Sequence, residues 1–206
     1  MSQYGRQGRT LYADALNTAT DIVAETGQMP QMAELADKLD VPENSLCGIF
    51  GSEQQLLVAI AENAMMLLHD QCVRTIVKVN DQDPVAQFQA LSDAYIEWAY
   101  NHPREFRIIG SMPAEDFQHN DKLMRYEQSI HELMLRLLMR AKSMGKLSQD
   151  ENLPLLIAAA HSFAYGLVSK MLLGDLARWA PEHDELTAAR AAMHMFTSRV
   201  LCIQSA

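Results

Sequence analysis

The chain is poor in the residues that interrupt helices. Its 206 residues hold 9 glycines and 7 prolines, and no stretch alternates Val, Ile or Thr with polar residues. With Ala, Leu and Met abundant, that shortage points to an all-α protein with ample apolar content for a real core. Cysteine is scarce too. Cys47, Cys72 and Cys202 lie far apart and form no pairing or zinc pattern, which suits a reducing compartment. No run of 18 or more apolar residues occurs, and the opening MSQYGRQGRT has no apolar signal core, so the expected location is the cytoplasm. Phosphate-binding loops, dinucleotide fingerprints and HExxH are missing, and neither a cofactor nor a metal is called for.

Positive charge is the last shortage. The net charge is −9, and residues 1–60 carry three cations against eight anions, a balance of −5. Arg6, Arg9 and Lys38 are the only cations there. A nucleic-acid binder draws much of its affinity from phosphate neutralisation, so any such surface here has few cations to work with.

What is present is a compact pattern from Gln31 to Leu57. Met32, Leu35, Ala36 and Leu39 recur at helical spacing, and Asp40-Val41-Pro42 breaks the run. Pro42 suits the first position of a second helix, whose apolar face is Leu46, Ile49 and Phe50 and which Gly51 stops. Ser52 with Gln55 forms a capping box that opens a long third helix. Two short helices across a tight turn make a helix-turn-helix, whose second helix can enter a DNA major groove.

Residues 10–60 resemble the DNA-binding domain of the tetracycline-repressor (TetR-type) family. Glu25-Thr26-Gly27 matches the family's Glu-x-Gly, and Leu35-Ala36 its Ile/Leu-Ala pair. The family's next pattern, Val-Ser-x-Gly-Thr-Leu-Tyr-x-His/Tyr-Phe-x-Ser-Lys-Glu-x-Leu, falls on Val41 to Leu56. Val41, Leu46, Phe50, Ser52 and Leu56 match, and Ser45 stands where the family has Thr. Cys47 replaces the Tyr, Ile49 the His/Tyr and Glu53 the phosphate-facing Lys. The scaffold is similar; the DNA-facing surface departs from it. Fainter echoes occur at Tyr95 to Phe106, and at Ala160 to Leu167, where Phe163 and Tyr165 stand in a Trp-x-x-x-His-Gly-Leu motif.

Along the chain, residues 1–9 read as a polar arm, and Leu11 to Glu25 as an amphipathic helix. A helix from Gln54 to about Val79 would be roughly 35 Å long at 1.5 Å per residue. Further helices are expected at Val85–Asn101, Arg104–Met112, Asp121–Met144, Leu155–Leu173 and about Asp184–Ile203, with Ala114–Asn120 a polar loop and residues 174–181 a linker. The expected domains are a helix-turn-helix domain, 1–53, and a helical ligand-binding and dimerisation domain, 54–206.

The resemblance implies a homodimer whose last two long helices, within residues 153–203, form a four-helix bundle. Leu153 to Leu173 is apolar around most of its circumference, and Ala188, Ala191, Ala192, Met195, Phe196 and Val200 can pair with it. Packing of both helices inside one subunit is the plainer alternative. On the DNA side the candidates are Arg6 and Arg9 for phosphate or minor groove, Gln31 at the first short helix, and Asn44, Ser45, Cys47 and Gly48 on the second. Cys47 is also a candidate oxidation point, or simply an inert small residue. Tyr95, Trp98, Phe106, Met112, Tyr126, Met134, His161 and Tyr165 combine apolar bodies with polar tips, the makeup of a small-molecule cavity, although each singly also fits ordinary core.

Catalytic patterns are weak. Glu115 and Asp116 suit a solvated loop, His161 and Ser162 point apart on a helix, and His69 with Cys72 lacks a third metal ligand. The expected function is therefore a ligand-responsive, non-enzymatic transcriptional regulator, a repressor in the first instance, binding an operator duplex and a small apolar or amphipathic ligand. The alternatives are a protein of the same fold that has lost DNA affinity and serves as a ligand-binding or interaction module, and an enzyme built in the cavity.

Overall fold

The computed structural model describes the backbone of residues 3–200 and the side chains of residues 10–199. Among the described residues there are eleven α-helices, a terminal π turn and no strand. They form two compact units: residues 1–65 with 104–124, and residues 66–103 with 125–206. The expected cut at 53/54 follows the sequence motifs, whereas compactness returns residues 104–124 to the N-terminal unit.

In the first unit, α1 (Gln3–Thr26) begins well inside the expected polar arm and ends where Gly27 takes a positive φ of 71°. α2 (Met32–Leu39) is closed by Asp40 in the left-handed conformation, and Val41 N–H reaches back to the Ala36 carbonyl at 3.1 Å. Pro42 is the residue before α3 (Glu43–Phe50) rather than its first position. At Gly51, φ is 77°, a backbone conformation that favours glycine, while a Cβ there would meet only the movable tip of the Gln55 side chain. Ser52 Oγ then accepts from Gln55 N–H at 3.2 Å and opens α4 (Glu53–Ile76).

The interior of this unit follows from those phases. Ala15, Leu16, Ala19 and Ile22 of α1 meet Met32, Leu35 and Ala36 of α2, Leu46 and Phe50 of α3, and Leu56 and Ile60 of α4. Ile108, from α6 (Pro103–Ser111), joins the same core. The ring of Tyr12 stacks on Phe50 at 5.2 Å. The stretch expected to be a polar loop contains a short helix, α7 (Ala114–Gln118). Asn120 caps the helix that follows it, α8 (Asp121–Ser143), and Lys122 at its start pairs with Glu62 of α4 at 3.0 Å.

The second unit is organised on α5 (Pro84–Asn101), α9 (Leu153–Leu172) and α11 (Glu185–Met195), which pack on one another. Their starts are each capped by a side chain: Asp83, Asn152 and Asp184. Val85, Phe88, Leu137, Leu138, Leu153, Leu156, Ile157 and Ala160 form its core. Two polar pairs tie α11 to α5: Arg190 to Glu97 at 3.1 Å and His194 to Asp93 at 3.0 Å. The expected linker includes one helical turn, α10 (Leu176–Trp179). The last helix ends sooner than expected, at Met195, and passes into a π turn, Phe196–Val200, where Phe196 stacks on Phe163 at 4.1 Å. By length and composition alone α4 and α9 are also apolar enough to cross a membrane, a test that core helices pass as well.

Candidate functional site

The helix-turn-helix is α2 and α3. Met32, Leu35, Leu46 and Phe50 face the core, whereas Ile49, expected beside Leu46 and Phe50, is exposed because it falls at the solvent edge of so short a helix; Gln31, Asn44 and Gly48 are exposed too, and Ser45 and Cys47 are half-buried. The side chains of Arg6 and Arg9 lie outside the described residues. Gln31 occupies the position before α2 with extended backbone, yet its side chain makes no capping hydrogen bond. The cap comes from elsewhere. Glu53 Oε1 accepts the Met32 backbone N–H at 3.2 Å, across 21 residues of sequence. Backbone amides, its own first and then that of Met32, hold the Glu53 carboxyl below the ordinary glutamate value. The exposed side of α3 thus offers Glu43, Asn44 and Ile49, with no cation on the helix.

Within the second unit lies a cavity of about 60 Å³. Leu68 and Cys72 of α4, Phe88, Leu91, Ser92 and Tyr95 of α5, and Ile130 and Met134 of α8 line it, with Ala160, His161 and Ala164 of α9 and Met193 of α11. The lining is almost wholly apolar; Ser92, Tyr95 and His161 are its polar groups, and Ser92 Oγ donates back to the Phe88 carbonyl. Burial, followed by the nearby Tyr165 phenol, raises the Tyr95 pKa. Burial also pushes the Cys72 thiol to about 12, so it stays protonated and unreactive at neutral pH. The Tyr95 and His161 rings lie 6.5 Å apart, which places two hydrogen-bonding groups beside an apolar space.

Of the eight residues that the sequence suggests for a ligand, Tyr95, Met134 and His161 line this cavity. Trp98 is buried on α5 beside Tyr95, Tyr126 faces His69 at 5.7 Å, and Tyr165 is exposed on α9. Phe106 and Met112 belong to the other compact unit and are not among the lining residues. Leu68, Phe88, Leu91, Ile130 and Met193 escape a reading by residue type, since nothing distinguishes them in sequence from any other core residue. His69 Nε2 lies 3.4 Å from Ser129 Oγ, and among the described residues no three of His, Cys, Asp and Glu gather as a metal site.

Residues 88–195, just over half of the chain, match the family model described as tetracyclin repressor-like, C-terminal domain. The chain belongs to the tetracycline-repressor family. Solved structures share its fold. The fatty acid degradation regulator of Bacillus halodurans superposes with a TM-score of 0.72 at 16% identity, covering 94% of this chain and 97% of its own. A TetR-family transcriptional regulator from Thermus thermophilus gives 0.67 at 19% identity over 93% and 99%. The ketosteroid transcriptional regulator of Mycobacterium tuberculosis gives 0.68 at 18% over 93% of each. At these identities the likeness is one of fold. No curated protein sequence matches the chain significantly.

Proposed function

We propose that this TetR-family protein is a ligand-responsive transcriptional regulator, a repressor acting in the cytoplasm as a homodimer, with α2–α3 reading operator DNA. The observation that carries the reading is α4. It begins at the helix-turn-helix with Glu53 and carries Leu68 and Cys72 into the cavity lining. A ligand that moves those two side chains therefore acts on the helix from which the DNA-reading unit hangs. In a dimer, half-sites lie about one helical turn apart, roughly 34 Å, so a small shift of each α4 spoils the match.

The ligand is apolar or amphipathic. Small-molecule pockets usually enclose roughly 300–1,000 Å³, and this cavity holds about 60 Å³. Binding must therefore enlarge it, and Met134 and Met193, unbranched and adaptable, are the side chains best suited to yield. A hydrocarbon chain or ring system with one hydrogen-bonding end fits the lining, in keeping with relatives that are named as fatty acid and ketosteroid regulators.

Dimerisation is supported by the face of α9 turned away from its own core. Leu155 is 66% exposed, and Ala158, Ala159, Ser162, Tyr165 and Gly166 follow it at helical spacing. Small residues flanked by large apolar ones permit close helix approach and reward it with burial. A second reading, an interaction module without DNA affinity, is favoured by the absence of a cation on α3 and by the Glu53 carboxylate, which reaches from α4 to the first amide of α2. The deciding experiment is binding of the purified protein, sized by light scattering, to its own promoter and to random duplex at about 50 and 200 mM salt. Sequence-selective, salt-sensitive binding by a particle of two chains is expected. A folded, ligand-free dimer that binds neither duplex at low salt establishes the module instead.

A further inference from the structure

No Asp, Glu, Lys or Arg lines the cavity of the second unit. Beside His161, the lining groups that could ionise are Cys72 and Tyr95, and burial raises both, the thiol to about 12 and the phenol above its ordinary value. The basic side chains on either side of Met193 are engaged elsewhere: Arg190 with Glu97 at 3.1 Å and His194 with Asp93 at 3.0 Å. Arg74 and Arg136 each follow a lining residue, Cys72 and Met134, by two positions, a spacing that turns them to another face of the helix, and both are exposed. An ion drawn into this space meets no opposite charge, and burying one unpaired is costly.

The polar groups share one edge. Ser92 and Tyr95 are three residues apart on α5, hence neighbours on its surface, and the Tyr95 and His161 rings lie 6.5 Å apart. His161 is exposed as well as lining, which sets this edge toward the surface and the apolar lining inward. Ser92 Oγ already donates to the Phe88 carbonyl at 3.2 Å, so what it offers a ligand is lone pairs. A phenol donates and accepts, and a neutral imidazole has one nitrogen of each kind. The edge therefore matches a group that donates and accepts at once. A hydroxyl does both, whereas a ketone or a carboxylate only accepts. We propose that the cavity selects uncharged amphiphiles that end in a hydroxyl: the hydroxyl sits among Ser92, Tyr95 and His161 and donates to Ser92 Oγ, with the hydrocarbon directed inward. This rests on the ligand-binding reading above and narrows its ligand from amphipathic molecules in general to alcohols, against carboxylates and amines of the same length.

The test titrates the full-length protein by calorimetry with four probes of one chain length: 1-octanol, 2-octanone, octanoate and octylammonium. It is run at about pH 8, where an ordinary histidine is neutral, a carboxylate ionised and an alkylamine protonated. Binding to own-promoter duplex is followed in parallel. 1-Octanol should bind about 10-fold or more tightly than either ion, since neither ion finds a partner of opposite charge. Ser92→Ala should cost the alcohol about 3- to 5-fold and leave the ketone, which has no hydrogen to donate there, unmoved. Tyr95→Phe should weaken both uncharged probes, and Ala164→Val, which fills part of the space, should weaken all four. An ion that binds as tightly as the alcohol, or a protein that takes up none of the probes, overturns the proposal. If octanoate is the tighter ligand and releases the duplex, the ligand class is wrong and the regulator reading stands. If 1-octanol binds as expected, with the Ser92→Ala loss, while the protein binds no duplex with or without it, the ligand class is upheld and the regulator reading fails.

Discussion

The two compact units are made of the same helical material but filled differently. In the N-terminal unit Ala15, Ala19, Leu35, Leu46 and Leu56 are fully buried at 0% exposure, and α1 to α4 close on one another. The second unit has equally buried anchors, Leu138 and Val168 among them, yet it keeps a cavity of about 60 Å³. Protein interiors normally leave few voids larger than a water molecule. The closed unit suits a part whose work is done on its surface, where rigidity fixes the geometry of α2 and α3. The open one suits a part whose interior must receive something.

The largest expected effect probes the closed side. Leu46 is the inward anchor of α3. Leu46→Ala should destabilise the N-terminal unit by about 3 to 5 kcal/mol, measured by urea unfolding, since the surrounding helices cannot collapse onto the gap. A loss below about 1 kcal/mol would mean that this interior has slack of its own, and the contrast between the units would disappear.

The second experiment goes the other way in the open unit. Ala164 lines the cavity from α9. Ala164→Val adds two methyl groups toward the space and should raise the unfolding free energy by up to about 1 kcal/mol, less a few tenths for the weaker helix propensity of valine. The same change should weaken binding of any ligand that uses the cavity. A destabilisation of more than about 1 kcal/mol would signal overpacking, and hence that the space is not available to a side chain.

The contrast also shows what was legible in the sequence. Helices with a clean apolar stripe and a strong stop, such as α2 with Asp40-Val41-Pro42 behind it and α3 with Gly51, are encoded within a dozen residues. Shorter pieces, α7 and α10, lack that periodicity and form where a loop is expected. The start of α1 at Gln3 is likewise not marked by an apolar stripe. The cavity is harder still. Aromatic and methionine side chains advertise amphipathic chemistry, but which of them share one interior is decided by tertiary packing. Phe106 and Met112 group with Tyr95 by residue type, yet of the three only Tyr95 lines the cavity. For Glu53, its place at the positive end of α4 is readable from sequence; its reach across to Met32 is not, because that depends on how α2 and α4 meet.

The smallest effect compares two helix caps. In the N-terminal unit α4 is capped by the Ser52 hydroxyl, which does not titrate. In the second unit α11 is capped by Asp184, whose carboxylate accepts the Thr187 amide at 2.8 Å and its hydroxyl at 3.0 Å. Those bonds, the Thr187 amide foremost, hold the Asp184 carboxyl below the ordinary aspartate value. The sign follows from proton linkage: the folded state binds fewer protons at this site than the unfolded chain. Its contribution is therefore complete above the ordinary aspartate value of roughly 3.9 and is lost as pH falls through the lower, folded value. Asp184→Ser keeps a cap and removes the titration. The wild type should exceed this variant in urea midpoint at neutral pH, and the gap should close as the solution is acidified below the aspartate range. A gap independent of pH would assign the difference to side-chain shape, leaving the two caps alike in their response to acid.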